Sequence, residues 1–190
     1  MLSLSQKGHP FPAAEAWMLD NWIRRLLQPP SQLVGKLGIL PDDVVMDFGC
    51  GPGYYTIEIA KRARAAIAVD ISSEMLQKAQ NKATKSGIKN IQFLQSDGKQ
   101  LQPSESSVDK ILLVTVYHEL ADSHEILKEF RRILKPQGFL VIVEVVKKML
   151  FVGAPIQNPE NLKSEIQAEG FAFLKMLPYK SFGMLFFAKT

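Results

Sequence analysis

The chain has 190 residues, 46% of them hydrophobic and 22% charged, which excludes the disordered, collagen-like and disulfide-scaffold classes. One domain with a sizeable core is expected, since a chain of this size removes about 70% of its unfolded surface from water. The excess of 23 Lys and Arg over 19 Asp and Glu gives a net charge of +4, scattered along the chain and too small to argue for nucleic acid.

The single cysteine, Cys50, has no internal disulfide partner, which fits a reducing compartment, and cytoplasm is the expected location. The opening MLSLSQKGHPFPAAEAW lacks a basic start followed by an apolar run, so no secretory signal is expected. No stretch approaches the roughly 20 apolar residues that span a bilayer.

From the N-terminus, residues 13–27 have an amphipathic helical pattern carrying Trp17 and Trp22, and Ser31 is placed to cap a second helix that reaches Leu37. A regular alternation then begins. Short apolar runs at 44–48, 66–70, 91–94, 110–117 and 139–146 are expected to be buried strands. Between them, residues 55–64 place Ile57, Ile59 and Ala60 on one side. Residues 74–86 repeat Met75, Leu76, Ala79 and Ala83 at helical spacing, with Ser73 as N-cap and Gly87 as stop. A third helix opens at Asp122, whose spacing to Glu125 resembles a capping box, and runs through Phe130 to Leu134 before Pro136 ends it.

The polar link 94–110 leaves room for at most a turn or two of helix. Asn158 and Pro159 start a last helix that stops near Gly170, and the runs 171–177 and 182–189 are joined closely enough to form an antiparallel hairpin. Strand, helix and strand in succession imply a parallel sheet with right-handed crossovers. The expected fold is therefore α/β, with helices on both faces of a Rossmann-like, doubly wound, mostly parallel sheet. A single domain is expected, divided into a helical preface (1–40), a cofactor-binding core (42–146) and the final helix and hairpin (147–190).

The segment Asp47-Phe48-Gly49-Cys50-Gly51-Pro52-Gly53 lies where the first strand gives way to the first helix, the usual cofactor position in such sheets. A dinucleotide-binding turn also uses glycines here, to set a pyrophosphate on a helix N-terminus. That spacing would need Gly or Ala at position 54, which is Tyr54, and the acid before the turn would repel a pyrophosphate.

The pattern instead resembles motif I of class I S-adenosylmethionine-dependent methyltransferases, of the small-molecule type found in ubiquinone and menaquinone biosynthesis. Four further segments continue the resemblance: Asp70-Ile71, Ser96-Asp97-Gly98, the run from Asp109 to Glu119, and the turn from Arg132 to Leu140. The hairpin matches that family's sixth and seventh strands, which implies seven in all. Gln137 stands where the family usually has Gly.

The resemblance implies S-adenosylmethionine as cofactor and S-adenosylhomocysteine as product. Gly49, Cys50, Gly51 and Gly53 would let the backbone approach the methionine part, with Asp47 near its positive end. Asp70 would hold the ribose hydroxyls, because an ionised carboxylate only accepts hydrogen bonds. Ile71 would lie against the adenine, the segment Ser96, Asp97 and Gly98 near its amino group, and Thr115 at the end of the fourth strand. Cys50 reads as a small buried side chain rather than a nucleophile.

The Asn/Asp-Pro-Pro-aromatic motif of amino-methylating enzymes is replaced here by Thr115-Val116-Tyr117-His118, and the lone cysteine lies in the glycine loop. No metal is expected. Methylation of a small molecule on O, N or C remains, with His118 as candidate base, or else as a residue that caps the strand or packs on the cofactor. Trp17, Tyr54, Tyr117 and Tyr179 are the candidate substrate residues. Little chain is left for a substrate domain, so the pocket is either open or completed by a partner subunit in a homodimer. The alternative is a module of the same fold that holds the cofactor without turnover.

Overall fold

The computed structural model describes residues 29–147 and 157–190. The expected helix at 13–27, with Trp17 and Trp22, lies outside the described residues. Contacts divide the described chain into two compact units, one ending at Asp97 and the other beginning at Gly98.

The first unit holds α1 (Pro30–Gly35), β1 (Val44–Phe48), α2 (Thr56–Ala60), β2 (Ala65–Asp70), α3 (Ser73–Lys85) and β3 (Ile91–Gln95). Its strands are parallel in the order β3-β2-β1, with Val44 beside Ala65 and Ala66 beside Ile91. β1 and β2 are buried nearly throughout, as parallel strands covered on both faces must be, whereas β3, at the end of the order, is only partly buried. Helix α3 buries Met75, Leu76, Ala79 and Ala83, the four residues at helical spacing. Its cap is Ser72 rather than the expected Ser73: Ser72 is extended and its hydroxyl accepts from the Met75 amide at 3.3 Å. Gly87, at φ +67°, stops the helix as expected.

Ser31 is not a cap either. Pro29 occupies that position with Pro30 in the first turn, where a missing N–H costs nothing, and the helix ends at Gly35. α2 spans only Thr56–Ala60 of the expected 55–64, and the Asn90 side-chain amide donates to the carbonyl of Ala60 at its end and to those of Ala63 and Arg64 beyond it.

The second unit holds β4 (Val108–Val114), a 3-10 turn (Tyr117–Glu119), α4 (Ser123–Ile133), β5 (Leu134–Val145), α5 (Pro159–Ala168), β6 (Phe171–Tyr179) and β7 (Phe182–Lys189). The strand order is β4-β5-β7-β6, with β4 and β5 parallel and both β7 pairings antiparallel. Asp122 and Asn158 cap α4 and α5 through the amides of Glu125 and Glu160. The hairpin turn is Lys180-Ser181 alone, with Lys180 at φ +58°, so Pro178 and Tyr179 belong to β6.

Two expectations fail here for physical reasons. The fourth strand stops at Val114, and Tyr117 lies in the 3-10 turn, because Thr115 takes a left-handed backbone (φ +55°) that breaks the extended run. The third helix stops at Ile133, short of Leu134, which is already extended, and Pro136, expected to end the helix, lies with Gln137 inside β5. There Val108 pairs with Leu134 and Lys110 with Phe139, which leaves residues 135–138 as a bulge where a proline forfeits no ladder bond. The Lys135 ammonium braces it on the Asp109 carboxylate at 2.7 Å.

Among the described residues no helix is long and apolar enough to cross a membrane. Phe130 on α4 is fully buried, so Phe130→Ala is expected to destabilise the protein by about 3–5 kcal/mol, measured by urea unfolding.

Candidate functional site

The first cluster forms where β1 and β2 end. After Phe48 the chain turns through Gly49, Gly51 and Gly53 at φ +70°, +53° and +76°, values that side chains adopt only with strain. At Gly53 a second constraint acts, since an added Cβ would lie 3.0 Å from the Ala79 Cβ on α3. The loop is held by the edge of β2: the amides of Gly49 and Cys50 both donate to the Val69 carbonyl, at 2.8 and 2.9 Å.

Asp70, the last residue of β2, completes the hold. One carboxylate oxygen accepts from the Gly51 amide at 2.8 Å and the other from the Ser72 amide at 2.9 Å. The residue stays partly exposed. The carboxylate can therefore still accept from a ligand, which suits a sugar hydroxyl. Burial raises its pKa while the backbone amides of Ser72, Gly51 and Ile71 pull it back.

Ile71 beside it is 50% exposed, an apolar surface at the tip of the strand. The Gln95 side chain donates to the Ile71 carbonyl, and the Ser96 amide to the Asp70 carbonyl at 3.1 Å, so the segment after β3 is pinned to the same corner. Asp97 is exposed there, and Gly98 follows at φ +91°. A partly exposed carboxylate, an apolar tip and a glycine backbone fit a ribose, an adenine and an amino-acid tail respectively.

Asp47 is 2% exposed, and its carboxylate accepts from the Thr56 hydroxyl at 2.5 Å. Burial, reinforced by the nearby Asp70 charge and opposed by Thr56, pushes its pKa up to about 7. Cys50 is buried against Ala68 and Leu76, and burial raises its thiol well above the usual range, so it carries no thiolate nucleophile. Tyr54 and Tyr55 are both buried and meet edge to face with ring centroids 4.9 Å apart.

The second unit has its own polar cluster. Past β4, the Thr115 amide donates to the Val143 carbonyl at 2.8 Å, and the chain enters the 3-10 turn that buries Tyr117 and His118. Both meet Glu144, which is fully buried on β5. One of its carboxylate oxygens accepts from the Tyr117 amide at 2.9 Å, and the other lies 2.9 Å from His118 Nδ1. Nε2 of His118 is 3.8 Å from a Glu119 carboxylate oxygen. Burial lowers the imidazole pKa, but Glu144 and then Glu119 outweigh it and the net shift is upward.

The Tyr117 hydroxyl donates to Glu165 on α5 at 3.3 Å, and burial pushes its pKa up to about 12. Tyr179 is buried and pairs with Phe182 across the hairpin.

Glu144 did not emerge from the sequence pattern, although it is the one charged residue in the otherwise apolar run 139–146. That isolation was the available signal, because a charge in a buried strand needs a partner.

The seven strands, mostly parallel with a C-terminal antiparallel hairpin, define a Rossmann-like methyltransferase fold. A crystal structure of a SAM-dependent methyltransferase from Aquifex aeolicus matches at a TM-score of 0.85, covering 94% of this chain and 98% of that one at 24% identity. A family model described as a methyltransferase domain matches residues 39–177, and the chain belongs to this family.

Among curated proteins, the demethylmenaquinone methyltransferase of Tropheryma whipplei (strain Twist) is 33% identical over 116 residues, 61% of this chain and 47% of that protein. The 23S rRNA (uracil(1939)-C(5))-methyltransferase RlmD of Haemophilus influenzae (strain 86-028NP) is 41% identical over 81 residues, 40% of this chain and 18% of that protein. The matches thus span less than half the length of either relative.

The Asp47 shift has a consequence for stability. Between the ordinary carboxyl pKa and about 7 the folded state holds a proton that the unfolded chain releases, so stability falls as pH rises through that window. Asp47→Asn keeps an acceptor for Thr56 and removes this dependence. Urea unfolding at pH 4 and pH 8 should show the variant gaining stability over the unsubstituted protein by a few kcal/mol at the higher pH.

Proposed function

We propose that this chain is an S-adenosylmethionine-dependent methyltransferase that acts on a small-molecule acceptor and releases S-adenosylhomocysteine. The observation that carries the reading is the Asp70 carboxylate, which braces the glycine loop through Gly51 and stays partly exposed at the strand tip, where a ribose hydroxyl can donate to it. Family membership over residues 39–177 and the demethylmenaquinone-methylating relative support it.

In this reading Asp70 holds the ribose hydroxyls, Ile71 covers one face of the adenine, and Ser96, Asp97 and Gly98 frame its amino edge. The backbone at Gly49, Cys50, Gly51 and Gly53 lets the methionine part approach, and Asp47 favours its ammonium directly or through a water. Thr115 shapes the turn out of β4. The bound sulfonium supplies an electrophilic methyl group. The protein orients the acceptor in line with that methyl, excludes water, and takes up any proton the acceptor sheds. His118 is the residue assigned to that proton. Tyr54, Tyr117, Tyr179 and Trp17 remain candidates for the acceptor pocket. A cytoplasmic location belongs to the same reading and rests on the lone buried thiol.

Calorimetric titration with S-adenosylhomocysteine should give saturable binding. Asp70→Ala should weaken it at least tenfold and lower the thermal unfolding midpoint of the free protein without unfolding it, since the Gly51 and Ser72 amides lose their acceptor; an unaltered affinity would remove the ribose role. Thermal protection by NAD in place of S-adenosylmethionine would return the chain to the dinucleotide-binding class. His118→Ala should lower kcat about 10²-fold with little change in cofactor affinity, read from the release of S-adenosylhomocysteine across an acceptor panel.

A further inference from the structure

Glu144 is a fully buried carboxylate in the middle of an apolar strand, and both of its oxygens are engaged by the turn after β4. Such a group is costly to bury, and two hydrophobic residues of similar volume would pack there at less cost. Its geometry is specific. The backbone amide of Tyr117 fixes one oxygen, which leaves the other to face His118 Nδ1 at 2.9 Å. A carboxylate accepts only, so this contact places the ring proton of neutral His118 on Nδ1 and leaves Nε2 with a free lone pair.

We infer that Glu144 is a positioning residue, which orients His118 and fixes its tautomer so that Nε2 accepts the proton of a protic acceptor such as a weakly acidic hydroxyl. The inference rests on the methyltransferase reading and deepens it by naming the acceptor class. The step balances: the acceptor oxygen forms a bond to the methyl carbon, the carbon–sulfur bond breaks with its electron pair going to sulfur, and the hydroxyl proton goes to Nε2. Imidazolium then forms beside a buried negative charge, which offsets the cost of charging a buried ring. Among the described residues, the carboxylates that face the ring are Glu144 from β5 and Glu119 from the turn itself. Glu165 reaches the cluster only through the Tyr117 hydroxyl.

The test pairs spectroscopy with kinetics. In the unsubstituted protein, nitrogen-15 spectra of the histidine rings should show neutral His118 in the Nδ1–H form, with a titration midpoint above that of an ordinary histidine side chain. In Glu144→Gln the midpoint should move to lower pH, and kcat at neutral pH should fall at least tenfold with KM for S-adenosylmethionine unchanged. The rising limb of the pH–rate profile should move the same way, and Glu144→Asp should recover part of the rate. An Nε2–H tautomer in the unsubstituted protein overturns the positioning role without requiring any variant to fold. So does a midpoint that does not move in Glu144→Gln. If the midpoint moves as expected but His118→Gln retains full turnover, the pairing is real and the base assignment is what fails. Loss of S-adenosylhomocysteine binding by the unsubstituted protein would instead count against the methyltransferase reading itself.

Discussion

The hold of Asp70 and Val69 on the glycine loop is the contact on which the corner at the ends of β1 and β2 depends. A parallel sheet delivers its strand ends to one edge, and each must be followed by a turn whose amides find acceptors. Here the loop after β1 finds them on the neighbouring strand: the Val69 carbonyl takes two amides, and the Asp70 carboxylate takes the Gly51 amide and then the Ser72 amide at the start of α3. One side chain thus fixes the glycine turn and the entry to the next helix together. A carboxylate already anchored by backbone has little side-chain entropy left to lose when it takes a ligand, which is the physical content of preorganisation.

The two units handle buried acids differently. Asp47 is shielded from solvent with the Thr56 hydroxyl and amide as partners and a second acid nearby, so burial wins and its proton is held more tightly. Glu144 meets a backbone amide and an imidazole, and the effect appears on the partner, whose affinity for a proton rises. Both acids are isolated charges in apolar strands, and neighbours distant in sequence decide what each does: Thr56 for the one, and the turn at Tyr117–Glu119 for the other.

Much of this was legible in the residue pattern. The strands of the first unit follow from runs of Val, Ile and Ala, and α3 and α4 from apolar residues at helical spacing between a polar cap and a stop. The glycine loop was visible because its backbone angles demand glycine, and Asp70 because it follows a buried strand directly. Boundaries fared worse where the local signal had two meanings. Pro136 is a helix breaker, yet it sits in a bulged strand because Leu134 had already left the helix. Ser72 and Ser73 are chemically equal caps, and only the extended backbone of Ser72 makes it the one used.

What the sequence alone determined is therefore the order of strands and helices, the hairpin, and the glycine turn with Asp70 beside it. These depend on periodicity and on conformations open to few residue types. Tertiary structure decided what sequence separation hides: the meeting of His118 with Glu144, the burial that lifts Asp47, and the bulge at residues 135–138. A hydrogen bond between residues 26 apart in the chain exists only because β5 runs beside β4, and no local pattern encodes which buried strand will supply the partner.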